Sequence, residues 1–465
     1  MQESLVWVDK NVQLCQYKIV INVRQLRRAR REARVLPRGK RVAREDYWQW
    51  LQEAEKSRLI KTIVGFRRVG KSFLLKMWLR ELEKKYGREN VLYLNFESDW
   101  LREVKTVQEL RQVWEMYVKE IAKAGEKVVI WDEVQVVKEW EKLVRQLYEM
   151  GGVRIWLSGS NSSLLSGELA SALAGRNLSL LVQPFSFREF LEYKGIRVDY
   201  EENEEAVERA LRVYLRRGGL GEQLDLSQEL AKNYRDNLLQ KVIIDDIAQR
   251  FKVRNVRVLK DIFEFVAGNV SSVVSLRRIA GQLENQGIKV SIETVDNYLH
   301  YWQEAFALAR VDKLDYKLGR VFRRVGKYYV VDNLFIRGGE ENDEKRLENL
   351  VYWELRRRWG GEKVFYGKKE GRYEVDFIVM KNGEKEYIQV CWRLHEGNVK
   401  RELGNLDLAE KYGGGRGKLL TPTTRWGISQ RRRNSLTPKP RAVPMIPSTR
   451  ASMTIILPRV IRSIS

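Results

Sequence analysis

The chain of 465 residues is too long to fold around one hydrophobic core, so we expect about two to four domains. Its composition, 43% hydrophobic and 32% charged with only two cysteines, is typical of globular proteins in a reducing cytoplasm. It excludes a disulfide framework, a cysteine-based metal site and a membrane-spanning segment. The net charge of +24 is concentrated at the two ends, since residues 1–44 carry +9 and residues 413–465 carry +11.

The first element in chain order is a basic segment. Arg24–Arg44 holds ten Lys or Arg residues and one acid, Glu32. Such a run is typical of a solvated charged segment, and it is also the composition that contacts nucleic acid or an anionic membrane surface. We interpret residues 1–44 as a basic N-terminal arm and favour the solvated interpretation. An amphipathic helix beginning at Asp46 follows the arm.

A phosphate-binding loop comes next, directly after the strand-like run Ile60–Val64. Residues 65–72 read Gly-Phe-Arg-Arg-Val-Gly-Lys-Ser, which matches G-x-x-x-x-G-K-[ST], and a helix-like run, Phe73–Lys84, follows. In such a loop the backbone amides point at phosphates, Lys71 brings a cation to the β- and γ-phosphates, and Ser72 can ligate Mg²⁺. The predicted nucleotide-binding residues are Gly65, Phe66, Arg67, Arg68, Val69, Gly70, Lys71, Ser72 and Phe73.

A pair of acids supplies the second half of the predicted site. Strand-like and helix-like runs alternate over residues 91–182, which predicts a parallel sheet with helices on both faces. Asp132 and Glu133 end one apolar run; the first can hold Mg²⁺ and the second can orient or deprotonate water. After the next strand, the polar stretch Ser158–Ser163 either contacts the γ-phosphate or caps the following helix, and both interpretations stay open.

The second half of the chain has a different organisation. Residues 188–250 are predicted to be helical, with a break at Gly218–Gly221. Residues 257–331 alternate short helices with a closing pair of strands, Arg320–Arg324 and Tyr328–Asp332. That order of elements suits a winged helix-turn-helix.

Taken together, the motifs resemble those of a known family. The phosphate-binding loop is followed in order by Asn95–Glu97, Trp131–Gln135, the polar stretch, Leu173–Arg176 and Pro184–Phe190. This combination resembles the prokaryotic, especially archaeal, AAA+-like ATPases, whose ATPase domain is followed by a C-terminal domain of unknown function. The resemblance covers about residues 41–420 and implies an α/β P-loop NTPase that binds ATP and Mg²⁺.

The resemblance also implies roles for single residues of the site. Asp132 is implied as the metal-side carboxylate of a Walker B motif and Glu133 as the catalytic glutamate. Ser160 or Asn161 falls where a sensor-1 residue contacts the γ-phosphate or the attacking water. The implied catalytic residues of this chain are Lys71, Glu133 and Asn161, and the implied metal ligands are Ser72 and Asp132.

An arginine finger is a further implication of the resemblance. Arg176 lies where such a finger is expected, and acting in trans it would require a homo-oligomer. An ion pair between Arg176 and a local carboxylate is an equally favoured interpretation. Arg188 is the weaker candidate for the same role.

In this family a helical lid precedes a winged helix, and Ser291–Tyr301 resembles the recognition helix, introduced by Ser291. Such a helix reads DNA in some proteins and mediates protein contacts in others. Glu293 and Asp296 lie on it, so insertion into a DNA groove is not favoured. DNA and a protein both stay open as partners.

Residues 344–392 resemble the core of a PD-(D/E)XK nuclease-like fold. A working site of this kind would gather Glu348, Asp376 and an acid of the last strand around Mg²⁺, with a lysine two residues later. Those last two positions hold Gln389 and Cys391, and neither an amide nor a thiol replaces the expected group. We therefore favour a fold retained for binding or structure over metal-dependent cleavage.

The last segment departs from the rest of the chain. Six of the eight prolines lie in residues 421–465, among Arg, Ser and Thr and without a hydrophobic period. A nuclease-like domain is expected to continue after Leu420 with another helix and strand. We therefore favour a frameshifted tail over a basic disordered tail that binds nucleic acid.

The leading hypothesis is a Mg²⁺-dependent ATPase that moves its lid and winged helix and acts on DNA or a protein partner. The alternatives are an ATP-gated, metal-dependent DNA nuclease and a nucleotide-binding scaffold with negligible turnover. The predicted segments are a basic arm (1–44), a P-loop AAA+-like ATPase domain (45–190), a helical lid (191–256), a winged-helix-like domain (257–335), a nuclease-like domain (340–420) and the tail (421–465).

Overall fold

The computed structural model describes residues 21–36, 40, 42–164, 175–196, 203–314, 321–369 and 373–422. Residues 1–20 of the predicted arm, Leu173 and Ala174 of the family motif, and residues 423–465 of the predicted tail lie outside this described part. Within it, the helices fall short of the length and apolarity that a membrane crossing requires.

Five parallel strands form the first sheet, as the alternation of strands and helices predicts. Their order across the sheet is β2-β3-β4-β1-β5, and every neighbouring pair is parallel. Buried apolar side chains dominate the central strands, as in parallel sheets covered on both faces. The strands are β1 (Ile60–Val64), β2 (Val91–Asn95), β3 (Lys127–Asp132), β4 (Val153–Gly159) and β5 (Asn177–Leu181).

Helices connect these strands and cover the sheet. The helix that follows the phosphate-binding loop packs against β2 and β3, and the helix between β3 and β4 packs against β4. Because the strands are parallel, their carboxyl ends lie at one edge of the sheet, where the motif-bearing loops meet. The connecting helices are α3 (Lys71–Tyr86), α4 (Val107–Glu120) and α5 (Trp140–Met150).

Two helices precede β1, and the first corrects the interpretation of a solvated basic arm. Helix α1 (Val23–Ala33) starts in a capping box at Asn22 and packs against β2 and α4, with Leu26 and Ala33 buried. These two apolar residues, seven positions apart, form a stripe that the surrounding arginines obscure in the sequence. Helix α2 (Glu45–Glu55) follows and leads into β1.

The region after β5 is helical, as predicted. Its long helix, α8, continues without a break through a π-helical turn, Val242–Ala248, and a last turn, Gln249–Phe251. The predicted break at Gly218–Gly221 separates α7 from α8. The helices of this lid region are α6 (Phe187–Lys194), α7 (Glu204–Arg217) and α8 (Gln228–Lys241).

A winged-helix order follows the lid region, although the predicted wing strands were wrong. The segments Arg320–Arg324 and Tyr328–Asp332 fall largely on one strand, β8, whose partner is β7, in antiparallel pairing. Gly326 resembled a turn in the sequence but lies within β8. Ser291 caps the predicted recognition helix α11, its Oγ accepting from the Thr294 amide at 3.0 Å. The elements are α9 (Val256–Gly268), β6 (Val273–Val274), α10 (Leu276–Glu284), α11 (Ile292–Glu304), β7 (Leu308–Leu314) and β8 (Val321–Val330).

The C-terminal elements run helix, three strands, helix, strand, and they share a sheet with the wing. The order of that seven-stranded sheet is β12-β11-β10-β9-β7-β8-β6, with β7 and β9 joined at Lys313 and Tyr366. The further helix and strand were expected after Leu420, but α13 and β12 already supply a helix and a strand before that position, and residues 423–465 lie outside the described part. The elements are α12 (Asp343–Trp359), β9 (Val364–Lys369), β10 (Tyr373–Lys381), β11 (Glu384–Val390), α13 (Glu396–Gly413) and β12 (Arg416–Leu420).

Candidate functional site

The loop between β1 and α3 adopts a conformation that only glycine accommodates at two positions. Gly65 and Gly70 have φ angles of +149° and +97°. A Cβ atom on Gly65 would lie 2.2 Å from the carbonyl oxygen of Val182, the residue after β5. Glycine at position 65 therefore lets the loop backbone lie directly against the chain that follows β5.

Lys71 is the first residue of α3 and lies inside the loop. Its ammonium donates to the carbonyl oxygens of Gly65 at 2.9 Å and Phe66 at 3.2 Å, and its Nζ lies 3.3 Å from Glu133 Oε1. The residue is only 4% exposed. The predicted cation of the loop and the predicted catalytic acid are thus in direct contact.

Asp132 ends β3 beside the loop and is fully buried. Its Oδ2 accepts from the Tyr93 hydroxyl at 2.5 Å, and the hydroxyls of Ser158 and Ser72 also contact the carboxylate. Burial, with a smaller contribution from Glu133, raises the pKa of Asp132. A serine hydroxyl beside a carboxylate is the all-oxygen donor set that Mg²⁺ prefers, so Ser72 and Asp132 fit the predicted metal ligands.

Glu133 follows in a left-handed backbone conformation, with φ of +56°. Non-glycine residues adopt this conformation rarely, and it recurs at functional sites. Glu133 Oε2 accepts from Gln135 Nε2 at 2.6 Å and from the Ser160 amide at 3.0 Å. Burial alone would raise the pKa of Glu133, but Lys71, Gln135 and Arg67 outweigh it and lower the pKa. The side chain is therefore an oriented, ionised carboxylate.

The two residues that the sequence offered for the sensor-1 position, Ser160 and Asn161, lie at the end of β4. Ser160 uses its amide to hold Glu133 and its hydroxyl to contact Asp246 Oδ1 at 3.0 Å. Asn161 is buried next to it. The geometry brings both sensor-1 candidates to the site, and the Ser160 amide contacts Glu133, the predicted catalytic acid.

An acid of the lid region completes the site, and sequence reasoning missed it. Asp246, on the π-helical turn, accepts from Arg67 Nε at 2.6 Å, while Arg67 also contacts Glu97 at 2.9 Å and Asp245 at 3.7 Å. Burial raises the pKa of Asp246, and Arg67 opposes that rise. The signal available in the sequence was a pair of adjacent acids within an otherwise apolar run, residues 242–248.

Arg44 is a second residue that the motif search missed. Its guanidinium donates to the carbonyls of Val69 at 2.8 Å and Gln183 at 2.7 Å, and it pairs with Glu189 at 2.9 Å. It is buried, and it ties the phosphate-binding loop to the chain that follows β5. A residue assigned to the basic arm thus braces the loop.

The remaining loop side chains contact other parts of the protein. Phe66 is buried and packs edge-to-face on Phe335, and Val69 is buried as well. Arg68 forms an exposed ion pair with Glu222 of the lid region. Phe73 lies on the first turn of α3 and is half-buried. Of the predicted nucleotide-binding residues, these four therefore offer a nucleotide their backbone more readily than their side chains.

Comparison with known proteins gives the family. A family model described as "AAA domain" matches residues 57–191, and a domain of unknown function matches residues 208–335. An uncharacterized protein of Haemophilus influenzae is 33% identical over 371 residues, which are 78% of this chain and 90% of that protein. The uncharacterized protein MJ1544 of Methanocaldococcus jannaschii is 32% identical over 367 residues, 76% of this chain and 79% of that protein.

The chain belongs to this family of AAA-domain proteins. Its relatives come from a bacterium and an archaeon, so the archaeal emphasis of the predicted resemblance is too narrow. Among solved structures, the Walker-type ATPase PABY2304 of Pyrococcus abyssi has a TM-score of 0.43 at 19% identity, covering 65% of this chain and 98% of that one. The Orc1 protein of Aeropyrum pernix in complex with DNA has a TM-score of 0.30 at 14% identity, covering 66% and 93%.

The AAA-domain protein places its predicted arginine finger far from its own phosphate-binding loop. The Arg176 carbonyl accepts from the Ile60 amide at 2.9 Å, at the amino end of β1, whereas the phosphate-binding loop follows the carboxyl end. A strand of this length spans about 15 Å, so Arg176 cannot act in cis. Arg176 Nη1 lies 3.6 Å from Glu149, and Arg188 lies 3.6 Å from Glu45. A role for Arg176 in trans stays a prediction.

The region predicted to be nuclease-like brings Glu348 and Asp376 together, as the resemblance implied. Between them lies a cation from the wing: Lys327 Nζ is 3.1 Å from Glu348 Oε1, 3.1 Å from Asp376 Oδ1 and 3.7 Å from Glu374. Lys327 is 1% exposed. An ammonium thus occupies the position between the acids, and sequence reasoning missed it because β8 belongs to the preceding winged-helix region.

Other oxygens of this buried cluster also have protein partners. Tyr329 donates to Glu348 Oε1 at 2.7 Å, and the Val390 amide donates to Asp376 Oδ2 at 3.0 Å. Gln389 stands where a working nuclease site would have an acid. Its amide donates to Glu402 at 2.8 Å and not to Glu348 or Asp376. Burial, followed by the charge of Asp376, raises the pKa of Glu348 to about 7 despite Lys327. The AAA-domain protein therefore satisfies this acidic cluster internally.

Proposed function

We propose that this AAA-domain protein binds ATP with Mg²⁺ at the β1–α3 loop and hydrolyses it. The proposal rests on one observation. Lys71 from α3 and the acids Asp132 and Glu133 from the end of β3 meet, buried, at a loop whose conformation requires glycine at positions 65 and 70. The family assignment and the parallel sheet support the same conclusion.

The residues divide the chemistry among them. The loop amides and Lys71 would bind the β- and γ-phosphates, so the phosphates would compete with Glu133 for the ammonium. Ser72 and Asp132 would hold Mg²⁺, which would neutralise charge that develops on the phosphates. Glu133, ionised and oriented by Gln135 and Ser160, would position the attacking water and accept its proton.

We further propose that hydrolysis moves the lid region (191–256) against the ATPase domain (45–190). Both loop arginines contact acids of the lid region, Arg67 through Asp246 and Arg68 through Glu222. Phe66 also packs on Phe335, beyond the end of the wing. A rearrangement of the loop around phosphates would therefore change these contacts and shift the lid region and the winged helix. The shifted regions would act on DNA or a protein partner.

The test is ATP turnover by the full chain, with and without double-stranded DNA, at two protein concentrations. Mg²⁺-dependent turnover should fall by about 10²-fold in Lys71→Ala, because one charged donor to the phosphates is lost. Unchanged turnover in Lys71→Ala would contradict the proposal, and ATP binding without turnover by the unmodified chain would favour the scaffold. Turnover per molecule that rises with concentration, and does not rise in Arg176→Ala, would support the finger in trans.

The pair Arg67–Asp246 gives a second prediction. Arg67→Ala and Asp246→Ala should each lower kcat/KM for ATP by about tenfold, and the double variant should be no worse, because members of one ion-pair network are not additive. Arg216→Ala is the control, since it removes the ion pairs that a half-exposed arginine of the lid region forms with Glu340 and Asp343. Additive losses would show that Arg67 and Asp246 act separately.

The structure does not favour the nuclease alternative. Metal-dependent cleavage requires carboxylate oxygens that are free to ligate and open to a phosphodiester. Here Lys327 lies between Glu348 and Asp376, and all three side chains are buried. We propose that this region serves as a rigid attachment for the winged helix.

A further inference from the structure

Helix α1 presents a concentration of arginines that the nucleotide site does not use. It carries five arginines, its C-cap is Arg34, and its single acid is Glu32. A cavity of about 650 Å³ beside it is lined by two acids, Glu89 and Glu120, by Ile121, and by six arginines. The six are Arg24, Arg27, Arg30, Arg31, Arg34 and Arg88.

Most of these cations lack an internal counter-charge. Arg34 pairs with Glu83. Among the described residues, Arg24, Arg27, Arg31 and Arg88 have no carboxylate within ion-pair distance, and all four are exposed. Like charges gathered on one concave surface repel one another, and the repulsion is relieved when an anion binds among them.

Arg30 is one of the residues that line the cavity, and its guanidinium is held by the main chain. It is 8% exposed, and its Nη2 donates to the carbonyls of Arg88 and Val91. Its Nε is buried without a hydrogen-bond partner among the described residues. Burial, followed by the neighbouring Arg34, lowers the pKa of Arg30, while Tyr117, Glu83 and Glu89 oppose that shift. Arg30 is thus a buried, oriented arginine beside the cavity with one donor left without a partner among the described residues.

The chemistry of the surface selects phosphate. Guanidinium groups present a planar fork of donors that matches phosphate oxygens in pairs. Arg24, Arg27 and Arg31 follow one face of the helix at intervals of three and four residues. From the first to the last they cover about 10 Å, at about 1.5 Å per residue. This length matches about three nucleotides of a strand at about 3.4 Å each.

The helix is poorly suited to a membrane surface. An interfacial helix inserts an apolar face, whereas Leu26 and Ala33 of α1 are buried in the domain.

An aromatic ring lies beside the same basic surface. The half-buried Trp100 lies under Arg28, whose guanidinium carbon is 4.1 Å from the ring centroid. An aromatic ring beside a basic surface is common in proteins that bind nucleic acids.

We propose that the arginine cavity beside α1 binds the phosphodiester backbone of a nucleic acid without reading its sequence. Arg30 contacts the Val91 carbonyl at the amino end of β2, whereas the ATP site lies at the carboxyl edge of the same parallel sheet. The two surfaces therefore do not overlap. The arginine cavity would be the docking surface for the DNA partner of the proposed function. Its binding of nucleic acid can be tested independently of ATP hydrolysis.

The test is fluorescence anisotropy of the full chain with labelled double-stranded DNA, single-stranded DNA and RNA of random sequence. The triple variant Arg24→Glu/Arg27→Glu/Arg31→Glu should bind at least about tenfold more weakly at about 100 mM salt. Its plot of log affinity against log salt should be shallower by about two to three, since each phosphate contact contributes about 0.9. The triple variant Lys138→Glu/Lys142→Glu/Arg145→Glu is the control, because it changes the net charge equally at exposed residues of α5 and of the segment just before it.

Equal weakening in the α5 control, or unchanged affinity and slope in the α1 variant, would overturn the proposal. So would tighter binding to phosphatidylserine vesicles than to all three nucleic acids. Lys71→Ala should keep the affinity for nucleic acid, and the α1 variant should keep ATP turnover in the absence of DNA. These measurements therefore test nucleic-acid binding and ATP hydrolysis independently of each other.

Discussion

Replacing Glu133 by glutamine is expected to reduce ATP turnover by about 10²–10⁴-fold while ATP binding changes little. The amide keeps the size of the side chain but cannot accept a proton from water. Glu133 is held as an ionised carboxylate by Lys71, Gln135 and Ser160, so its loss removes an oriented base. The measurement is kcat from phosphate release, together with the Kd of ATP from calorimetry.

Glu139→Gln is the matched control for this change. Glu139 is an exposed acid a few residues later, and it has the same left-handed backbone, with φ of +57°. If only Glu133→Gln loses turnover, the loss is due to removal of the catalytic carboxylate and not to a change in the left-handed backbone conformation. Turnover in Glu133→Gln within a few fold of the unmodified chain would mean that another group activates the water.

Replacing Lys327 by methionine is expected to destabilise the C-terminal region by about 3–5 kcal/mol. Methionine retains most of the length of the side chain but leaves Glu348 and Asp376 buried beside each other without their cation. Lys289→Met, at an exposed lysine of the winged helix, is the control. Urea denaturation followed by tryptophan fluorescence measures both, and equal stabilities would contradict the role assigned to Lys327.

The deficit of Lys327→Met should depend on pH in a definite direction. Glu348 has a pKa of about 7 in the folded chain, above its ordinary 4.5, so its protonated form stabilises the fold. That contribution is complete below pH 4.5 and is lost as the pH rises through about 7. Without Lys327 the ionised acids repel with no compensation, so the deficit should be larger at pH 8 than at pH 5. A deficit independent of pH would show that lost packing, not lost charge, destabilises the variant.

The nucleotide site could be predicted largely from the sequence because its chemistry is local. The loop glycines, Lys71 and Ser72 lie within eight residues, and the acids follow a strand recognisable by its apolar run. The parallel sheet was predictable for the same reason, since its strands are short buried runs separated by helices.

The residues that sequence reasoning missed all act over long distances in the chain. Arg67 and Asp246 are 179 positions apart, and Arg44 is 139 positions from Gln183. Lys327 completes an acidic cluster that belongs to the next region of the fold. No local periodicity marks such partners, because each of these residues resembles an ordinary surface charge until tertiary packing buries it.

The strand errors have a local cause. In β8 the glycine at position 326 sits among charged residues, which is the composition of a turn, but antiparallel pairing with β7 keeps it in the strand. The helix α13 was overlooked because most of its residues are polar, with Glu402, Leu406 and Ala409 its buried ones.

The most direct test of the account is a crystal structure of the full chain with Mg²⁺ and a non-hydrolysable ATP analogue. We predict a triphosphate bound by the amides of residues 65–72 and by Lys71, with the metal on the side of Ser72 and Asp132 and with Glu133 facing the γ-phosphate. A nucleotide bound elsewhere, or phosphates in this loop with Asp132 and Glu133 turned away from them, would contradict the account.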